Sequence, residues 1–236
     1  MPAIIEADDA GLYVIKFRGS GQGPRALIAE LVAGEIARAL GLDVPEIVFM
    51  TLDPVLARTE GDPEIQSLIK ASAGLNVALD YLPGAVTFDP VAWPVDPVLA
   101  SRIVWFDALV TNVDRTAKNV NMLLWHRRLR LIDHGAALYM HHDWDTALAR
   151  ARDPFSRIRD HVLIGKARHV AALDEELAAK LTPAVLQDIV QTIPVEWLAD
   201  AGGEPRRADY LQYLTQRLEA PRAFAEEAQR ANAGLL

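Results

Sequence analysis

The stretch that decides the fold is Asn112-Val113-Asp114-Arg115-Thr116-Ala117-Lys118-Asn119, followed downstream by Leu131-Ile132-Asp133-His134-Gly135. Between them, two β-rich runs separated by His126-Arg127-Arg128 predict a short hairpin. The pattern is therefore a carboxylate, an amide five residues later, a hairpin, and a second carboxylate two residues before a glycine. We expect the hairpin to hold the amide and the second carboxylate rigidly.

Each of these side chains suits one task in phosphoryl transfer. A carboxylate at Asp114 can contact an attacking hydroxyl, whereas an amide oxygen at Asn119 and a carboxylate at Asp133 can hold Mg²⁺ against nucleotide phosphates. Mg²⁺ prefers hard oxygen ligands and keeps several waters. The alternative is structural, because Asp and Asn are also common where a loop must be capped or turned.

A second requirement lies upstream of this stretch. The strand Tyr13-Val14-Ile15-Lys16 can place an ammonium on the phosphates, and a glutamate on the next helix can steady it. Glu30 and Glu35 both lie on that helix, about 140° apart around its axis. Both cannot face Lys16 equally, and we expect Glu30, at a middle position of the helix, to do so.

The whole chain divides into a β-rich first third and a mostly helical remainder. The predicted strands are 3–6, 12–17, 44–52, 75–82, 120–125 and 129–132. The predicted helices are 25–40, 63–73, 97–111, one starting at Pro183, and a single long helix from Arg206 to about Ala231. This order predicts a two-lobed α+β fold with a small N-terminal lobe at residues 1–83, a helical lobe at 84–236 and a cleft between them.

Composition excludes several classes of function. The 236 residues contain 24 Lys and Arg against 32 Asp and Glu, a net charge of −8, so a broad basic surface for duplex nucleic acid is not expected. A local basic site remains open. There is no cysteine, which excludes disulfides, thiolate zinc sites and a thiol nucleophile. Neither a signal peptide nor an apolar run of membrane-spanning length is recognisable, so we expect a cytoplasmic protein that is not in a membrane.

Four further features have two readings each. The loop Gly19–Gly23 contains three glycines and either cradles phosphate through its backbone amides or simply connects two elements. Arg115 is either a site residue or a structural ion-pair partner. His134 is expected to pack or hydrogen-bond rather than bind metal. His141-His142-Asp143 is expected to be a solvated surface segment, because adjacent residues rarely chelate one ion well.

These segments resemble the HipA-like kinases, a family in the protein-kinase-like superfamily that also includes the phosphatidylinositol kinases. The resemblance covers roughly residues 3–140. It is carried by Tyr-Val-Ile-Lys-Phe (13–17), Ala-Leu-Ile-Ala-Glu-Leu (26–31), Leu-Gly-Leu-Asp-Val-Pro (40–45) and the two stretches quoted at the start. The element Asn-x-Asp-Arg-x-x-x-Asn is its most specific part.

The resemblance implies a protein-kinase-like fold and ATP-dependent transfer of the γ-phosphoryl group to a hydroxyl of a protein Ser or Thr or of a small molecule. It implies Asp114 as catalytic base, Asn119 and Asp133 as Mg²⁺ ligands, and Lys16 on the phosphates. In such a fold we expect Asp80-Tyr81-Leu82 to be the hinge whose backbone reads the adenine edge.

An antitoxin-like regulator stays open as a partner of such a chain. Two alternatives to a kinase stay open at this point. One is a nucleotide-binding pseudokinase that regulates a partner. The other is a non-enzymatic interaction module in which the Asp and Asn residues are structural.

Overall fold

The first part of the chain is a four-stranded antiparallel sheet. A computed structural model describes residues 2–199 and 202–234. The strands are β1 (Pro2–Glu6), β2 (Leu12–Lys16), β3 (Ile47–Leu52) and β4 (Gly74–Asp80). Their order across the sheet is β1-β2-β4-β3, which places the strand that ends in Lys16 in the interior of the sheet. The strands β1 and β2 form an antiparallel hairpin, with Ile4 opposite Val14.

The helix α1 (Pro24–Ala39) is buried on most of its surface. Ten of its residues are buried, so it is not an amphipathic surface helix with one wet face. It approaches β3 closely at Gly34, where an added Cβ would lie 2.4 Å from Ile47 Cδ1. Its other side packs against two helices of the second part, α6 (Pro183–Gln191) and α7 (Val195–Ala199).

The second part is helical around one small sheet. That sheet has the order β5-β6-β7, with β5 (Val86–Thr87), β6 (Met122–Trp125) and β7 (Arg128–Leu131). The turn between β6 and β7 consists of His126 and Arg127, both with positive φ, as a two-residue hairpin turn requires. The remaining helices of the described chain are α2 (Pro63–Ala71), α3 (Pro97–Leu109), α4 (Trp144–Ala147), α5 (Val170–Lys180), α8 (Pro205–Leu218) and α9 (Ala223–Ala233). Of these, α2 belongs to the first part, between β3 and β4.

The prediction of one long helix from Arg206 to about Ala231 is wrong. The chain forms α8 and α9, with a break at Glu219–Arg222. Pro221 lies in this break, and proline lacks the N–H that a continuing helix needs. The break lets α9 fold back onto α3, where the ring of Phe224 meets Trp105 edge-on at 5.2 Å.

The other predicted elements are present, with ends that differ from the predicted ones by no more than three residues. Both parts share contacts beyond the connection between β4 and β5. Trp197 on α7 donates from Nε1 to the Leu75 carbonyl in β4, at 3.1 Å, and its ring lies against Phe49 of β3. The division at 83/84 stays a prediction. Within the described part of the chain, no helix has both the length and the apolar character to cross a bilayer.

Candidate active site

Lys16 is the residue on which the predicted site converges. It ends β2, and only 16% of its side chain is exposed. Its Nζ lies 2.7 Å from Asp133 Oδ1 and 3.7 Å from Glu30 Oε2. The predicted pair of Lys16 and Glu30 is therefore present. The other candidate, Glu35, pairs instead with Arg38 on the same helix.

Glu30 is buried in α1 and joins that helix to the hairpin that precedes Asp133. Its Oε2 accepts a hydrogen bond from the backbone N of His134 at 2.9 Å, and its Oε1 lies 3.4 Å from Nδ1 of the same histidine. His134 is fully buried, with its ring edge-on to Phe106. The expected packing role of His134 is confirmed, and the contact fixes α1 against the residue next to Asp133.

Burial and charge act in opposite directions on this pair. Burial by itself would raise the pKa of Glu30, but Lys16 and His134 outweigh it and lower that pKa to about 2. Burial would likewise lower the pKa of Lys16, but Glu30 and Asp133 outweigh it and raise that pKa above its ordinary value. Both groups are therefore charged at neutral pH, and the ammonium is available to meet phosphate.

Glu30→Gln tests this pair through the pH dependence of stability. Folding lowers the pKa of Glu30 from 4.5 to about 2, so its carboxylate stabilises the fold fully above the higher value and loses that effect as pH falls toward the lower one. We expect the variant to be less stable than the wild type at neutral pH by on the order of 3 kcal/mol. The difference should shrink as the pH is lowered. Urea unfolding at a series of pH values measures both quantities.

The matched control is Glu35→Gln on the same helix. Because Glu35 forms a partly exposed pair with Arg38, its loss should cost less than about 1 kcal/mol at every pH. A difference between wild type and Glu30→Gln that stays constant with pH would show that the Glu30 carboxylate is not the stabilised group.

A cavity of about 250 Å³ lies beside these charges. Lys16, Glu30 and Asp133 line one side of it, and residues 20–22 of the glycine-containing loop line another. Gly21 and Gly23 have φ of 56° and 65°, values that glycine adopts without strain. The loop was expected either to cradle phosphate or simply to connect two elements. Its position against the cavity favours the first of these roles.

The stretch 112–121, which contains the predicted catalytic loop, forms one hydrogen-bonded group. Asn119 donates from Nδ2 to Asp114 Oδ2 at 2.7 Å, and Asn121 donates to the same oxygen at 3.2 Å. The carbonyl of Asn121 also accepts from the backbone N of Ile132 at 3.1 Å. The hairpin therefore links Asp114 to the residue that precedes Asp133. Sequence reasoning missed Asn121, although a polar residue at the start of a β-rich run was a visible signal.

A buried network lies beneath this loop, and its centre is Asp107 on α3. Asp107 Oδ2 accepts from Arg115 Nε at 2.7 Å and lies 2.9 Å from His161 Nε2, while Oδ1 accepts from Asn112 Nδ2 at 2.8 Å. All four side chains are buried. Burial alone would raise the pKa of Asp107, but Arg115 and His161 outweigh it and hold the pKa well below its usual range.

This network decides the role of Arg115. Its guanidinium pairs with Asp107 and also contacts the carbonyls of Asn121 and Ile132, the latter at 3.3 Å. Of the two roles expected for Arg115, site residue or structural ion-pair partner, the structure shows the second. Its contacts hold both the loop and the hairpin from below. Sequence reasoning missed Asp107 and His161, because neither lies in a local motif.

The expectation of a solvated segment at 141–143 is wrong for His141. Its side chain is fully buried, and its Nδ1 lies 3.1 Å from Tyr210 Oη. Burial, with smaller contributions from His142 and Arg25, lowers the pKa of His141 to about 3. His141 is therefore a neutral core residue that packs the chain after Asp133 against α8.

Known protein families and solved structures include proteins similar to this chain. A model of the HipA-like kinase family matches residues 1–224. The chain belongs to the HipA-like kinase family. Among solved structures, a Helicobacter pylori proinflammatory kinase, CtkA, is similar with a TM-score of 0.59 and 15% identity, covering 100% of this chain and 95% of CtkA. At that identity the likeness supports the predicted fold alone. No curated protein matches the chain.

The predicted hinge, Asp80-Tyr81-Leu82, is not part of the cavity at Lys16. The backbone N of Asp80 donates to the Glu46 carbonyl at 2.8 Å, and that of Tyr81 donates to the Leu12 carbonyl at 3.0 Å. The Leu82 carbonyl accepts from Ala85. Residues 80–82 do not line the cavity described above. Adenine recognition at these residues stays a prediction.

The described side chains contain no complete set of metal ligands. Within residues 2–199 and 202–234, no group of three or more His, Asp or Glu side chains could hold a metal alone. Asn119 and Asp133 supply an amide and a carboxylate oxygen. Mg²⁺ is commonly bound by one or two carboxylates plus phosphate oxygens and water, so oxygens of these two types are ones it accepts. Asp133 lines the cavity at Lys16 and Asn119 does not, and a metal site formed by the two stays a prediction.

Proposed function

We propose that the chain transfers the γ-phosphoryl group of ATP, as its Mg²⁺ complex, to a hydroxyl group of a protein Ser or Thr or of a small molecule. The observation that carries this proposal is the position of Lys16 at the cavity wall, in contact with both Glu30 and Asp133. Membership in the HipA-like kinase family supports the same reaction class.

Lys16 would bind the nucleotide phosphates, and Glu30 would support it. The Lys16 ammonium would donate hydrogen bonds to phosphate oxygens, and Glu30 would keep it charged and aimed into the cavity. The loop at residues 20–22 would add backbone contacts. Bound Mg²⁺, held by Asn119 and Asp133, would neutralise charge on the phosphate oxygens.

Asp114 would orient the acceptor hydroxyl and receive its proton. Asn119 and Asn121 both donate to Oδ2 of this carboxylate, which fixes its plane. We therefore assign its other oxygen, Oδ1, to the acceptor hydroxyl. As the hydroxyl oxygen bonds to the γ-phosphorus, its proton moves to Asp114 and ADP leaves.

Asp133→Asn tests the proposed metal contact. The amide removes the negative charge that offsets phosphate charge, so Mg²⁺ should no longer strengthen ATP binding, and affinity in Mg²⁺ should fall by roughly tenfold or more. Isothermal titration with a non-hydrolysable ATP analogue, with and without Mg²⁺, measures this effect. The control is Asp188→Asn, an exposed residue on α6.

Activity itself is tested with γ-labelled ATP and the purified chain. Labelled phosphate on an acceptor protein or small hydroxyl compound supports the proposal. Tight binding of Mg²⁺-ATP without any transfer or hydrolysis would contradict it and favour a nucleotide-binding pseudokinase. An unchanged Mg²⁺ effect in Asp133→Asn would remove that residue from the metal site.

A further inference from the structure

A second cavity, of about 440 Å³, lies beside the catalytic loop, away from Lys16. One wall is formed by Thr111 and Val113, which stand just before Asp114 in the chain. A second wall is the segment after Asp133, which is anchored to the first because Tyr139 N donates to Thr111 Oγ1 at 3.1 Å. A third wall is the stretch 153–157.

The chain that follows the third wall, at residues 161–162, is attached to the catalytic loop. Val162 N donates to the Arg115 carbonyl at 3.1 Å, and Thr116 pairs with His161 in an isolated antiparallel bridge. The cavity is therefore bounded by chain that contacts the residues on both sides of Asp114. A hydroxyl brought to Asp114 can belong to a molecule that extends into this cavity.

The segment 150–168, which includes this wall, differs in charge from the whole chain. The chain carries a net charge of −8, whereas residues 150–168 contain six Arg or Lys and two Asp. Several of these cations are already engaged, since Arg150 pairs with Asp153 and Arg152 contacts Glu219. Arg157 is exposed at the cavity, and its guanidinium has no ion pair or hydrogen bond with any residue in the described part of the chain.

The carboxylates at the cavity are already partnered. Asp153 pairs with Arg150, and Asp143 accepts a hydrogen bond from Thr146 Oγ1 at 2.7 Å. The cavity is also lined by the buried rings of Phe155 and Tyr213. Three arginines, Arg150, Arg157 and Arg217, therefore line the cavity against two aspartates. Arg217 is buried and donates to backbone carbonyls, so Arg157 is the exposed lining cation whose guanidinium has no partner within the described residues.

We propose that this cavity is the acceptor subsite and that it takes a polypeptide segment in which an acidic residue close to the acceptor Ser or Thr binds Arg157. The proposal rests on the proposed function, since it places the acceptor of that reaction. A volume of about 440 Å³ holds only a few side chains, so recognition is confined to residues near the hydroxyl. A small anionic hydroxyl compound is the competing occupant.

The first experiment measures binding and needs no turnover. A fluorescein-labelled peptide with a central serine flanked by glutamates is titrated with the full chain in the presence of an ATP analogue and Mg²⁺. We expect Arg157→Ala to weaken binding by about tenfold, and added NaCl to weaken wild-type binding. The control is Arg168→Ala, an exposed cation of the same segment that does not line the cavity.

The second experiment measures transfer from labelled ATP to a positional peptide library around a fixed serine or threonine. We expect Asp and Glu to be preferred at one or more neighbouring positions. Arg157→Glu should reverse this preference toward Lys and Arg, while its affinity for the ATP analogue stays unchanged. A change of charge preference is a result that general damage to the fold would not produce.

Several outcomes would overturn the subsite. They are peptide transfer with no charge preference, a preference that Arg157→Glu leaves unchanged, and transfer to small anionic hydroxyl compounds with no peptide bound or modified. Each of these leaves the proposed kinase function standing. Failure of that function has a different signature, namely no turnover of ATP with any acceptor, in which case Arg157-dependent peptide binding would still support the subsite.

Discussion

Asp114→Asn should lower phosphoryl transfer by about 10²–10⁴-fold, the usual range for a general acid–base group, while ATP binding changes little. The substitution keeps the shape of the side chain and removes the charge that would orient the hydroxyl and accept its proton. Asn119 and Asn121 lose their charged acceptor at Oδ2, but an amide oxygen can still take one of these hydrogen bonds. The folded state should therefore survive.

The measurement is a pair of numbers for each protein, the affinity for Mg²⁺-ATP and the turnover with one acceptor. Asp188→Asn, exposed and remote on α6, should match the wild type in both. Full turnover in Asp114→Asn would remove this residue from its proposed role. A parallel loss of ATP affinity would show that Asp114 acts on the nucleotide rather than on the acceptor.

Asp107→Ala should destabilise the fold by about 3–5 kcal/mol, the cost of breaking a buried ion pair by removing one partner. The Arg115 guanidinium would be left buried without a carboxylate, and His161 and Asn112 would lose the oxygens they contact. Because Arg115 also contacts the carbonyls of Asn121 and Ile132, the loop and the hairpin should loosen together.

Urea unfolding at neutral pH measures this change. Asp107→Asn should be less destabilising than Asp107→Ala, because its amide oxygen still accepts a hydrogen bond. Glu227→Ala, which breaks a surface pair with Arg230, should cost only about 0–1 kcal/mol and serves as control. A cost for Asp107→Ala as small as that of the control would mean that the network does not support the loop.

The way α1 is held bears on the proposed reaction. Glu30 can keep Lys16 in the cavity only while α1 stays against the sheet and the hairpin. In this chain α6 and α7 cover the outer side of α1, and Trp197 fixes α7 to the sheet through Leu75. The pair of Lys16 and Glu30 is therefore assembled by contacts of the helical part as well as by the sheet.

The sequence by itself determined the elements and residues that depend on local pattern. The strand ending in Lys16 and the hairpin between the two motif stretches follow from the β-rich pattern and the spacing. Helix geometry showed that Glu30 and Glu35 cannot both face Lys16, and the middle position of Glu30 on the helix favoured it. These features are local because the side-chain positions are set by strand and helix geometry within one element. The sequence also contained a signal for the break at Pro221, because proline ends helices. The prediction of one long helix overlooked it, because the apolar periodicity continues on both sides of the break.

Only the tertiary structure decided the features that depend on burial. Arg115 has the same motif position whether it faces a substrate or a buried carboxylate, and only the packing of α3 against the loop brings Asp107 to it. Likewise, His141 looks solvated beside His142 and Asp143, and the packing of α8 buries it. Burial is the sum of contacts between segments distant in sequence. A residue's neighbours in the chain therefore do not reveal whether its charge stays in water or must be paired.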